Sequence, residues 1–370
     1  MKAYVYPADT YGCGCYRLIW VSQVLKAQGH DVTIIAPTDS QRSIGGDLDS
    51  TDDYRLVRLG QHPPDPDVIV TQRVVLTQLA QAVPMLRERG IAVVIDMDDD
   101  LTTIHPSNIA FTRLHPKNTD TRYYSWTNAE KACRDATMVT VSTPPLLKPY
   151  ASHGRGRVLY NRIPARYLEI RHPDTNQVGW GGSVHSHPDD LPTVGPAISR
   201  LIREGRADYL SIGDPEGVRA ALGLPHEPNS YGAVSVGEWP YALGHLGVGI
   251  APLADTVFNA AKSWLKPLEM SAVGVPWVAS PRAEYRRLHQ LGAVAQGIDD
   301  PQELSALARR HLARAVEPHQ QLGRQPRGEG VDQTDGRERG GHAHTAPDQP
   351  RAGAGDGAEP AQHPHRRERV

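Results

Sequence analysis

The chain has 370 residues, with 40 lysines and arginines against 42 aspartates and glutamates and a formal net charge of −2. That length suits two α/β domains plus a tail, and the near balance of charge removes any bulk attraction to nucleic acid or an anionic membrane. No apolar run approaches the roughly 20 residues of a spanning helix, the N-terminal MKAYVYPAD has no signal-peptide pattern, and an odd count of three cysteines fits a reduced compartment; a cytoplasmic protein is expected.

The first half alternates strand and helix signals. Short β-rich runs at 3–6, 32–36, 54–59, 68–71, 92–95 and 138–142 are interleaved with helix-period segments at 16–28, 76–89 and 125–135, which predicts a parallel sheet covered by helices. Between the first strand and helix lies Tyr11-Gly12-Cys13-Gly14-Cys15-Tyr16-Arg17, where glycines let backbone approach a ligand, or simply make a tight turn. Cys13 and Cys15 lack a second Cys/His pair, so they read as small loop residues rather than zinc ligands. The acidic run Asp96-Met97-Asp98-Asp99-Asp100 closes the strand at 92–95. Three readings stay open for it: a metal site through Asp96 and Asp98, recognition of a hydroxyl acceptor by Asp98 or Asp99, and capping of a short helix at 101–104.

A second alternation follows the polar break at 171–174. Its strands are predicted at 178–181, 209–212, 233–236, 248–251, 276–279 and 293–295, and its helices at 191–204, 215–222, 260–272, 284–290 and 302–313. The expected division is 1–172, 173–316 and a polar tail 317–370, which has too little apolar surface for a core and is expected to be disordered. Two strand exits carry polar groups. Gly181-Gly182-Ser183-Val184-His185-Ser186-His187 follows the first strand of this half, and Glu238-Trp239-Pro240 follows the third; the histidines also read as solvated loop residues, and Trp239 as core. The segment from Phe258 to Ser280, FNAAKSWLKPLEMSAVGVPWVAS, places Lys262 and Ser263 near the start of a helix, where an anion is favoured, and Glu269 about two turns on. An amphipathic helix with a solvated Lys/Glu face gives the same pattern.

That last segment resembles the donor end of GT-B glycosyltransferases, most closely the retaining group called family four, through LEMSAVGVPWVAS. The resemblance extends over roughly 1–315. It implies an α/β fold of two Rossmann-like domains facing across a cleft, with the acceptor on the first and a nucleoside diphosphate sugar on the second, and no metal requirement. It implies catalytic roles for Lys262, Asp98 and Asp99, and donor contacts from Gly12, Gly14, Arg17, Gly182, Ser183, Glu238, Ser263, Lys266 and Glu269. The chain departs from that family at Ala261, where an earlier glutamate is usual, and in the 181–187 loop, which lacks the usual arginine and lysine. Two other readings compete: a non-catalytic nucleotide-sugar or glycan-binding protein, and a dinucleotide-dependent oxidoreductase, which needs a third glycine where Arg17 stands.

Overall fold

The structure, a computed structural model, describes residues 1–290 apart from 38–43, 50–54, 62–64, 118–123 and 171–174. The predicted strand 293–295, helix 302–313, tail 317–370 and the division at 172/173 lie outside the described residues. Both sheets belong to one compact unit, Met1–Gly323.

The first sheet is parallel throughout, in the order β2-β1-β5-β6-β7-β8: Asp31–Ile34, Lys2–Tyr6, Val68–Gln72, Ala92–Met97, Met138–Val141 and Gly156–Val158. Central β5 and β6 are apolar on both faces, as strands of a parallel sheet are. The predicted strand at 54–59 forms as β4 (Arg55–Arg58) but stands apart, paired antiparallel with β3 (Asp47–Asp49). Helices α2 (Thr77–Glu88) and α3 (Trp126–Asp135) pack in one core with β6 and β7. Helix α1, residues 12–27, lies with Leu18 and Leu25 against another cluster that includes Val5, Val32 and Val68.

The predicted glycine loop is largely helical. Residues 12–27 run as an α-turn, a π-helical stretch Cys15–Ile19 and an α-helix Trp20–Ala27. Asp9 caps this run, its Oδ1 accepting the N–H groups of Tyr11 and Gly14, each at 2.9 Å. A Cβ on Gly14 would sit 1.8 Å from the Asp9 carbonyl oxygen, so this glycine serves chain crossing.

The second sheet is also parallel, β11-β10-β9-β12-β13, from Asn229–Ser230, Asp208–Gly213, Gln177–Gly182, Val248–Ala251 and Trp277–Ala279. The predicted strand at 233–236 does not form. Ser235 instead offers its carbonyl to the N–H groups of Glu238 and Trp239, at 3.0 and 2.9 Å, turning the chain into the short helix Trp239–Gly244. Helices α4 (Gly195–Arg203) and α5 (Pro215–Leu222) cover one face. The predicted helix at 260–272 splits into Val257–Ala260 and α6 (Leu265–Ala272), and α7 (Ala283–Gln290) follows. Pro267 explains the split: deep inside one continuous helix it would break the hydrogen-bond ladder, whereas as the third residue of α6 it occupies a position whose N–H has no intrahelical partner.

In both sheets the chain runs outward from a central strand and then returns to its other side. The crossing points fall between β1 and β5 and between β9 and β12, and ligands of such sheets bind beyond the carboxyl ends of the strands there.

Candidate functional site

The carboxyl ends of the two sheets meet. The loop after β9 bonds to the first half through Ile109 N–H to the His185 carbonyl (3.0 Å) and Asn108 Nδ2 to the Ser186 carbonyl (2.9 Å). The turn before α6 does the same, with Thr143 Oγ1 donating to the Ala261 carbonyl (2.8 Å) and Asn161 Nδ2 to Ser263 Oγ (2.9 Å). Lys262 and Ser263 thus stand in the turn between two helices, not on the first turn of a longer one.

Lys262 reaches across to the acidic strand end. Its Nζ donates to Asp99 Oδ1 at 2.8 Å and lies 4.3 Å from the centre of the Phe258 ring. Asp99 also accepts from Arg73 (3.0 Å), and Arg73 grips Asp98 with two nitrogens, Nη2 to Oδ2 at 2.7 Å. Burial raises the Asp99 pKa, but Lys262 and Arg73 outweigh it and hold the carboxyl at about 2. Arg73 follows β5 with φ of 49°, a left-handed conformation that a non-glycine residue adopts at a cost, here offset by its carboxylate partners and by its N–H bond to the Asp96 carbonyl (3.1 Å).

The rest of the acidic run divides by role. Asp96 is buried against Arg17, which bonds it through Nε (3.0 Å) and Nη2 (2.7 Å), and also accepts from Thr140 Oγ1 at 2.6 Å. Arg17 gives Nη1 to the Leu159 carbonyl and to Asn161 Oδ1. Its guanidinium is thereby committed inside the first half, which leaves little of it for a diphosphate. Asp100 caps Leu101–Thr103, accepting from Thr102 N–H at 3.1 Å, as the capping reading expects. Among the described residues no group of three His, Cys, Asp or Glu side chains is arranged to hold a metal ion.

Lys266, on the first turn of α6, donates to the Gly181 carbonyl at 2.6 Å and lies 4.8 Å from the centre of the Trp180 ring. Burial, opposed by Glu269, lowers its pKa. Gly182, at φ of 149°, leaves no room for a side chain, since a Cβ would meet this ammonium at 2.8 Å. Ser183 is exposed, and Glu238 is exposed and turned to Ser235, accepting from its N–H at 3.0 Å and its Oγ at 2.7 Å.

Glu269 is not on a solvated face. It is 3% exposed, and its Oε1 accepts from Trp239 Nε1 (2.9 Å), from Tyr167 OH (3.3 Å) and, from the first half, from Tyr16 OH. Burial raises its pKa to about 7 against these hydrogen bonds and the Lys266 cation. A folded protein that keeps this proton above the ordinary carboxylate range binds more protons at this group than the unfolded chain, so the contribution of Glu269 to stability falls as pH rises from about 4.3 to about 7 and is constant above. Glu269→Gln should remove that contribution, which is read as the difference between parent and variant. Urea unfolding across the same range checks this; parallel curves for parent and variant would exclude Glu269 as its source.

On the first half, a cavity of about 530 Å³ opens at the carboxyl ends of β1 and β5, lined by Tyr6, Gln72, Arg73, Leu76, Arg113 and Tyr124 among others. It adjoins the Arg73–Asp98 pair.

No family model and no curated protein matches the sequence. Among solved structures, the chain is similar to a sucrose-phosphate synthase from Thermosynechococcus elongatus, at 12% identity over 86% of this chain and 98% of that one, with a TM-score of 0.47. It is also similar to HepE of Anabaena in complex with UDP-glucose (11% identity, 86% and 95% covered, TM-score 0.46). A third is a UDP-GlcNAc 2-epimerase from Neisseria meningitidis bound to UDP-GlcNAc (10%, 86% and 93%, TM-score 0.43). These overlaps are loose; the strand order and the site stand on this chain's own geometry.

Sequence reasoning missed Arg73, Asn161, Tyr16 and Tyr167 as parts of the site. Only Arg73 carried a local signal, a cation directly after a buried strand. None of the described helices is long and apolar enough to cross a membrane.

Proposed function

We propose that this protein transfers a sugar from a nucleoside diphosphate sugar to a hydroxyl acceptor, with retention of configuration. The observation that carries the reading is the placing of two neighbouring lysines, Lys266 at the glycine exit of β9 and Lys262 against Asp99 at the acidic end of β6. In this reading the lysines balance the departing diphosphate and Glu269 receives the ribose hydroxyls once Tyr16 withdraws. Asp98 and Arg73 orient the acceptor in the adjoining cavity. Rate enhancement comes from positioning and from charge stabilisation by preorganised groups. The resemblance to family four supports retention.

Incubation with a panel of nucleotide sugars and hydroxyl acceptors should release a nucleoside diphosphate, and the product anomer is read by NMR. No release and no binding with any donor would end the proposal. Activity should survive exhaustive chelation, and Asp98→Asn should raise the acceptor KM while leaving the donor KM unchanged. A chelation-sensitive rate restored by a divalent ion would hand the acidic strand end to a metal instead. A second reading, binding without transfer, is favoured by Ala261, which stands where the resemblance expects a glutamate and whose carbonyl is taken by Thr143. Tight donor binding without turnover would select it.

A further inference from the structure

Asp190 is 3% exposed and sits behind the cleft in the loop after β9. Its Oδ1 accepts the N–H of Ala254 (2.9 Å) and Nδ2 of Asn259 (2.6 Å), both beyond the end of β12. Its Oδ2 bonds Nδ1 of His187 at 2.9 Å. The carboxylate is therefore fixed from one crossing strand and directs its free oxygen at the imidazole. A ring held this way carries its proton on Nδ1, which leaves Nε2 with a lone pair.

His187 is not a solvated loop residue. Its side chain is 17% exposed, and it packs edge-on to Trp180, whose ring also carries the Lys266 ammonium. The charged groups around it are Asp190 on its own loop, Lys262 and Lys266 from the run into α6, and Asp99 from the first half. Burial, opposed by the bond from Asp190 and reinforced by both lysines, pushes the imidazole pKa down to about 4, so the ring is neutral at neutral pH. An anion set between Lys262 and Lys266 cancels their repulsion and adds negative charge beside Nε2. Asp190 already stands where it stabilises an imidazolium.

We propose that His187, held by Asp190, takes up a proton from solvent as a diphosphate enters the cleft and donates an Nε2–H hydrogen bond to a phosphate oxygen. It thereby supplies a cationic donor in the 181–187 loop, which has no lysine or arginine, and returns the proton to solvent when the diphosphate leaves. The proposal rests on the diphosphate reading above but not on sugar transfer.

The test is calorimetric titration of the full chain with uridine diphosphate and, separately, with inorganic pyrophosphate, in buffers of different ionisation enthalpy. The parent should take up a fraction of a proton that grows towards one as pH falls. His187→Gln can still donate to Asp190 but cannot titrate, and should lack that uptake. The ratio of parent to variant affinity should rise by up to about tenfold per pH unit as pH falls below the bound ring's pKa and be independent of pH above it, the ligand's own protonation being common to both proteins. Should the variant fail to fold, imidazole nitrogen NMR of the parent reads the same event, as protonation of Nε2 on adding pyrophosphate. Binding with identical proton uptake in both proteins, or an Nε2 signal that pyrophosphate does not move, overturns the dyad and leaves the diphosphate reading standing. Pyrophosphate bound with His187-dependent uptake while uridine diphosphate is ignored supports the dyad and counts against a uridine donor. If neither anion binds, both readings fall.

Discussion

Arg17→Met should cost about 3–5 kcal/mol of folding stability, the scale on which a buried pair is broken by removing one partner. Arg17 and Asp96 have side chains only 3% and 1% exposed, and the pair ties the first helix to the centre of the first sheet. With the guanidinium gone, Asp96 retains Thr140 as a donor, but its charge has no cation in contact. The Leu159 carbonyl and Asn161 also lose their donor, which loosens the approach to the second half. Denaturant unfolding measures the loss, and Arg17→Met combined with Asp96→Leu should recover much of it, because the second change removes the stranded charge. A single variant as stable as the parent would show that the pair is energetically neutral.

Lys262→Ala should lower kcat/KM for transfer by about 100- to 1000-fold, the usual consequence of deleting one preorganised electrostatic contact to a departing anion. Folding stability should change little. Lys262 and Asp99 are 15% and 22% exposed, partly open to water, and Asp99 keeps Arg73 when the lysine is removed. Steady-state kinetics beside a thermal unfolding curve separates the two effects. An unchanged transfer rate would remove Lys262 from the chemistry and leave it as a tie between the halves.

Much of the architecture was legible because it is local. Apolar runs such as 92–95 and 248–251 read as buried parallel strands, and the helix read at 215–222 forms at those bounds, where the structure adds Asp214 as its cap and Gly223 as its left-handed stop. Lys262, Lys266, Glu269 and the acidic run were also visible as candidates. Their partners were not, because partnership is set by tertiary distance: Asp98 meets Arg73 across 25 positions, Asp190 meets Asn259 across 69, and Glu269 meets Tyr16 across 253. A pattern of spacing along the chain carries no record of such pairings. The same limit explains why a solvated face stood open as an alternative for Glu269: its burial comes from Tyr16, Tyr167 and Trp239, each contributed by a different segment. The error over 233–236 was of another kind, a β-prone alternation overridden by a turn that claims the Ser235 carbonyl.

The 2.8 Å bond between Lys262 and Asp99 makes the cleft its own competitor. A lysine awaiting an anion in water is surrounded by mobile counter-ions, but this one is already neutralised by a carboxylate tethered to the opposite wall. Binding a phosphate is then an exchange of one anion for another, and the affinity seen from outside is the difference between two attractions. Added salt weakens both sides of that exchange, so the dissociation constant varies more gently with ionic strength than two unpaired lysines would dictate. The exchange also releases one oxygen of Asp99, Oδ1, while Arg73 keeps its hold on the other.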